Sequence, residues 1–165
     1  MSKWLKKYKK FLTEKVDILS IKDREQQADA IFAALKKASM DAFGGHCGEA
    51  AIAINKVLFK DRGKLVAAVN KFMYEKGHFI GHVAVLFNGF LWDGEGETNE
   101  EDLRAWGMLD PEDLDYIEEY GDEWTEEAAM EEIIIYPTEK EVTKFFGSCS
   151  LSDKIKQMKK GVLDD

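Results

Sequence analysis

Apolar and polar residues alternate with two different periods along this chain, and the change of period outlines the elements. Trp4, Leu5, Tyr8, Phe11 and Leu12 recur at helical spacing, so residues 3–16 read as an amphipathic helix with lysines outward. A second helix is expected over 23–38, with Ala28, Ile31, Phe32 and Leu35 on one face and Asp23 as its N-cap. Residues 39–46 read as a loop ending in glycines. From Cys47 to about Phe59 nearly every side of the helical wheel is apolar (Ala50, Ala51, Ile52, Ala53, Ile54, Val57, Leu58), the pattern of a buried helix. Residues 64–75 fit both periods: Leu65, Val66, Val69, Phe72 and Met73 suit a helix, whereas Leu65–Val69 also suits a buried strand. We favour the strand, because the next segment needs a neighbour.

That next segment is the strongest local signal. Phe79–Phe87, Asn88-Gly89 and Phe90–Asp93 make a β-hairpin, since Asn-Gly supplies the two positive φ angles of a tight two-residue turn. Further on, Asp110-Pro111-Glu112 is expected to open a helix with proline at its first position. Ile133–Tyr136 before Pro137 reads as a strand, and Thr138–Phe146 as a short helix with a Thr138/Glu141 capping box. Ser152–Lys160 reads as a basic helix or frayed end. There is no internal repeat, low-complexity linker or break in composition. One α+β domain over residues 1–165 follows, with an N-terminal helical segment at 1–40 and a core at 44–147. At 165 residues and 45% hydrophobic content the chain can bury a core of its own.

Charge narrows the partners. The net charge is −9, but the N-terminus is basic (Lys3, Lys6, Lys7, Lys9, Lys10, Lys15). Between Asp93 and Glu132, by contrast, Arg104 is the sole cation among many carboxylates. Such a stretch repels phosphates, so no nucleic-acid partner is expected. It reads first as a solvated acidic face, and otherwise as a surface for a basic protein or a nucleic-acid mimic. No run approaches the roughly 18 apolar residues of a membrane span, and the N-terminal segment is too interrupted by charge for a signal core. Cys47 and Cys149 are too few for a disulfide framework, which makes a reducing, cytoplasmic setting the expectation.

The candidate chemistry lies in Gly44-Gly45-His46-Cys47-Gly48-Glu49 and in the hairpin. A cysteine at a helix start sits at the positive end of the helix dipole, which with a nearby imidazolium favours the reactive thiolate. In the hairpin register Ala84 faces Asp93, so His82 and Asp93 share a face as diagonal neighbours roughly 7 Å apart in backbone. An imidazole and a short carboxylate can meet at that separation. Cys47 as nucleophile, His82 as base and Asp93 as orienting carboxylate form the expected triad. Glu95 is a competing orienter if the strand runs on past Gly94, and His78 is an alternative base at the strand's mouth. The backbone N–H of Cys47 would be one oxyanion donor. Gly44, Gly45, Gly48 and Gly81 would leave room for substrate.

The same residues admit duller assignments. A cysteine before an apolar helix is commonly a small buried residue, and a strand histidine is often simply satisfied within the core. His46, Cys47, His78 and His82 lack the geometry of a metal set, and Asp93–Asn99 lacks the glycine and closing glutamate of a calcium loop. Neither metal nor cofactor is expected. Cys149 reads as a surface or packing thiol.

Gly45-His46-Cys47-Gly48-Glu49-Ala50, Gly81-His82-Val83-Ala84-Val85 and Leu91-Trp92-Asp93-Gly94 together resemble the papain-like superfamily of thiol hydrolases, which includes NlpC-like and transglutaminase-like members. The resemblance spans about Gly44 to Gly96. It implies a cysteine at the start of a buried helix packed on an antiparallel sheet that bears the histidine and then Asn or Asp. It also implies hydrolysis or acyl transfer at an amide, isopeptide or thioester bond, with a peptide or acyl group as substrate. The superfamily often places a glutamine shortly before the cysteine as an oxyanion donor. Here that segment is Ser39-Met40-Asp41-Ala42-Phe43, and Gln26 and Gln27 lie far upstream. The alternative function is a catalytically idle papain-like module that binds a basic partner.

Overall fold

A computed structural model of the protein describes residues 18–37 and 47–146. The expected helix over 3–16, the 39–46 loop, the basic tail, His46, Gly44, Gly45 and Cys149 lie outside the described residues. The architecture is α+β, built on a five-stranded antiparallel sheet in the order β4-β3-β2-β1-β5. Its strands are β1 (Lys64–Asn70), β2 (Gly81–Phe87), β3 (Phe90–Asp93), β4 (Gly96–Thr98) and β5 (Glu132–Ile135). The main helices are α1 (Arg24–Lys37), α2 (Cys47–Val57), α3 (Lys71–Glu75), α4 (Glu100–Ala105), α5 (Leu114–Tyr120), α6 (Glu126–Met130) and α7 (Glu139–Phe146).

Strand alternation divides the core between two faces. On one, Ala67, Val69, Val83, Val85 and Trp92 pack with Ile52 and Ile54 of α2, Leu35 of α1 and Val142 of α7. On the other, Val66, Ala68 and Ala84 meet Leu103 of α4. Because α2 is buried along most of its length, its all-round apolar pattern matches its environment.

Three local outcomes differ from the sequence reading. Residues 64–75 are neither all strand nor all helix: β1 ends at Asn70, whose buried side chain accepts the Met73 N–H at 3.0 Å and so starts α3. Pro111 does not open a helix. Asp110 Oδ1 instead accepts the Glu112 N–H in a turn, and α5 begins at Leu114 after the cap Asp113. The short β4 and α4 were not anticipated. Asn99 caps α4 by accepting the Asp102 N–H at 2.8 Å. Thr138 caps α7 as expected, accepting the Glu141 N–H at 3.1 Å while its own N–H and hydroxyl donate to Glu141 Oε1.

Candidate functional site

The site is built outward from the Asn88-Gly89 turn. Both residues have positive φ (52° and 83°), which fixes the pairs Phe87/Phe90, Leu86/Leu91 and Val85/Trp92. Ala84 and Asp93 are next along the ladder, so His82 lies diagonal to Asp93. Its Nε2 is 2.8 Å from Asp93 Oδ2, with the two side chains only 16% and 12% exposed. The second carboxylate oxygen, Oδ1, accepts the Glu95 N–H at 2.9 Å. Two hydrogen bonds therefore hold Asp93, and through it the imidazole.

Glu95 does not compete for that role. The chain reverses between Asp93 and Gly96, which face each other across β3 and β4, and Gly96 turns at φ 121°. Glu95 is left exposed. The calcium-loop segment is thus spent on a hairpin and a helix cap, and among the described residues no group of three or more His, Cys, Asp or Glu is placed to hold a metal.

The helix carrying the thiol is oriented by its far end. Asn55 accepts the Gly63 N–H at 2.9 Å and donates to the Gly63 carbonyl at 3.3 Å, tying the last turn of α2 to the start of β1. Lys56 pairs with Glu139 at the start of α7 at 3.0 Å. Cys47, at the opposite end of α2, consequently lies where β1 finishes and β2 begins. His82 is the second residue of β2, and its imidazole is within hydrogen-bond reach of the Cys47 sulfur. With Nε2 committed to Asp93, Nδ1 is the ring nitrogen left for sulfur.

The electrostatics of His82 follow from these contacts. Burial by itself depresses an imidazole pKa, but the hydrogen bond to Asp93 and the hydrogen bond to and charge of the Cys47 sulfur outweigh it and raise His82 from 6.5 to about 9. The ring is therefore an imidazolium at neutral pH. It is also stacked: the Trp106 indole lies over it with ring centroids 5.0 Å apart and planes 23° off parallel. Trp106 is 59% exposed, so it covers the imidazole from outside. Gly107 anchors that cover, because a Cβ there would stand 2.9 Å from the Val69 carbonyl.

The structure thus brings together all three expected residues, Cys47, His82 and Asp93. His78 lies in the exposed turn after α3 and is not the imidazole that meets Asp93. Gly81 has a different job from the one expected of it: a Cβ would sit 1.9 Å from the Ala68 carbonyl, so its missing side chain allows close strand approach. Gln27 is engaged elsewhere, donating to the Ile18 and Ile21 carbonyls and accepting from Asn88 Nδ2 at 2.7 Å. It supplies no oxyanion donor. Trp106 escaped the sequence reading, although a lone Trp-Gly pair inside an otherwise acidic stretch was a usable signal.

Cys47 is half-buried and not in a disulfide. Among the described residues no helix is long and apolar enough to cross a membrane. The chain matches no family model, no curated protein and no solved structure.

Proposed function

We propose that this protein is a papain-like thiol hydrolase or acyl transferase acting on an amide, isopeptide or thioester bond through Cys47, His82 and Asp93. One observation carries the reading: a single imidazole lies within hydrogen-bond reach of both the Cys47 sulfur and the Asp93 carboxylate. An imidazole beside sulfur, itself oriented by a carboxylate, is the arrangement of an activated cysteine nucleophile. The sulfur attacks the carbonyl carbon, and the carbonyl electron pair moves onto oxygen. As that pair returns, His82 passes its proton to the departing nitrogen or sulfur, leaving a thioester on Cys47. Water, or an acceptor amine in transfer, then attacks the thioester while neutral His82 takes its proton, and the thiolate is released. Asp93 keeps the ring oriented throughout. The N–H of Cys47, the first residue of α2, would serve as an oxyanion donor in this scheme. A reducing cytoplasm, which keeps the thiol free, suits this chemistry.

The second reading is a non-catalytic module for a basic partner. It is favoured by large apolar side chains exposed among the carboxylates of α4 to α6, with Leu114 at 78%, Met130 at 44% and Ile117 at 42%.

One experiment separates the two. Cys47 should react with iodoacetamide at pH 6 at least ten times faster than glutathione does, and His82→Ala should remove that advantage. With p-nitrophenyl acetate, a burst of p-nitrophenolate should accompany an acetyl adduct on Cys47 in the intact mass. A thiol no faster than glutathione, with no burst, would leave only the binding module.

A further inference from the structure

We infer that the cavity between α3, α5 and α7 is a binding site for a quaternary ammonium group, held by cation–π contact with the aromatic rings that line it and by the negative charge of α5. The cavity measures about 560 Å³ and opens between the end of α3, residues 77–80, α5 and α7, within the ~300–1,000 Å³ range of small-ligand sites. Cys47, His82 and Asp93 do not line it. The inference therefore goes beyond both readings above and stands apart from them.

The rings are fixed in place by their neighbours. Tyr116 and Tyr120 lie one helical turn apart on α5, with centroids 6.5 Å apart and planes 44° off parallel. Tyr120 is braced edge-on by Phe72 at 5.2 Å, and Tyr116 by Trp124 at 5.1 Å. Trp124 is itself buried and donates its Nε1–H to the Pro111 carbonyl at 3.1 Å. Phe79 and Phe145 add a tilted pair, 5.3 Å between centroids. An aromatic face carries the negative part of the ring quadrupole and attracts a cation lying within ~6 Å of its centroid. Rings already held lose little freedom when one binds. The same aromatic cluster carries a cation elsewhere: Lys76 Nζ stands 5.3 Å from the Phe72 centroid and 2.9 Å from Glu123 Oε2.

Charge selects the sign of the occupant. α5 bears Asp115, Glu118 and Glu119 with no lysine or arginine, and Asp113 caps it. Glu119 lines the cavity. Burial and the charges of Asp113, Glu119 and Asp115 hold the Tyr116 phenol above its ordinary pKa, and burial and Glu119 do the same to Tyr120 against a contrary pull from Lys76. Surroundings that oppose a phenolate favour a cation in the same place. Among the described residues Lys144, which is exposed, is the one lysine or arginine in the lining, and it offsets part of that field. A primary ammonium would give up hydrogen bonds to water that ring faces do not replace. A quaternary one has no N–H to strand and packs its methyl groups on the rings, as choline or trimethyl-lysine would.

The test is an amide-resolved NMR titration of the intact chain with choline and with dimethylbutanol, the neutral isostere in which carbon replaces the nitrogen. Choline should bind at least tenfold tighter, with saturable shifts in α5 and residues 77–80. Tyr120→Leu keeps an apolar wall but removes a ring, and should weaken choline at least threefold while leaving the isostere unchanged. Tyr116→Leu is the second variant should Tyr120→Leu fail to fold. Glu119→Gln should weaken choline and Lys144→Gln strengthen it, each by at least twofold. A lysine peptide and its trimethyl-lysine form then distinguish the sources: a tenfold preference for the trimethylated form assigns the group to a protein, and no preference assigns it to a small molecule. Equal affinity for choline and its isostere, no saturable shift in α5, or indifference to both charge variants would each overturn the inference.

Discussion

Replacing Asp93 by Asn isolates the electrostatic half of the His82–Asp93 contact. The introduced amide would retain an Oδ1 acceptor for the Glu95 N–H, a 2.9 Å bond in the native protein, while the oxygen 2.8 Å from His82 Nε2 becomes an NH₂ group. The imidazolium then loses its carboxylate while keeping its burial, which lowers the pKa, and its sulfur neighbour, which raises it. In the native protein the ring titrates near 9 against 6.5 when unperturbed. At 1.36 kcal/mol per pH unit the difference corresponds to at most about 3 kcal/mol, and residual solvent access to the ring reduces that to about 2. The sign follows from the raised value: the contribution is complete below pH 6.5, shrinks as pH rises, and is gone above about 9. Urea unfolding of native protein and Asp93→Asn should differ by about 1–2 kcal/mol more at pH 6 than at pH 10, since sulfur retains part of the effect in the variant. Proton NMR of His82 should show its midpoint falling from near 9 by at least one pH unit. An equal stability difference at both pH values, or a native midpoint near 6.5, would refute the reasoning.

Two further outcomes follow from buried contacts. Asn70 is 0% exposed, donates to the Ala128 and Ala129 carbonyls at 3.0 and 2.9 Å and accepts from Met73. Asn70→Ala removes the partner of the Ala128 carbonyl and of the Met73 N–H, while the Ala129 carbonyl keeps the Leu109 N–H at 2.7 Å, and should cost about 2 kcal/mol, a fall of roughly 4–8 °C in Tm by scanning calorimetry; a fall under 2 °C would contradict it. Trp106 should report on the ring it covers, because an imidazolium stacked at 5.0 Å quenches indole emission. The fluorescence difference between native protein and Trp106→Phe should rise with a midpoint near pH 9 and lose that transition in His82→Ala; a flat difference would mean the stack does not persist in solution.

What the sequence disclosed, and what it hid, divides by the range of the interaction. The hairpin register follows from a two-residue signal, Asn88-Gly89, and once it is set the His82–Asp93 contact is geometry. The Thr138/Glu141 box and the start of α2 at Cys47 are likewise local. Asn70 ends a strand and starts a helix with one side chain, yet its cap residue sits inside an apolar run that has no single period, so 64–75 looked like one element. At Pro111 two acidic residues competed for the helix start, and Asp113 prevailed because Asp110 was used in its own turn. The Trp106-Gly107 pair stood out in the sequence, but its role was hidden for another reason. Its partner His82 is distant in sequence, and its role appears only when α4 lies on the sheet face that also holds His82.

That face is the less obvious part of the design. Val83 and Val85 point towards α2, while Ala84, opposite the packing of α2, shares its side with His82 and Asp93. A helix lying over the middle of β2 could not bring its thiol to a ring on the other side. The contact exists because Cys47 is the first residue of α2 and His82 is one residue inside the end of β2, so the two meet past the sheet's margin. It also makes the site depend on register to a single residue. Slipping β2 by one would turn His82 into the α2 core and put Val83 beside Trp106, separating the imidazole from the cover that stacks on it and placing a charge among Ile52, Ile54 and Trp92. The tight approach of Gly81 to the Ala68 carbonyl and the positive φ pair at Asn88 and Gly89 hold β2 from its two ends. The alignment of the triad is in this sense a property of the whole strand.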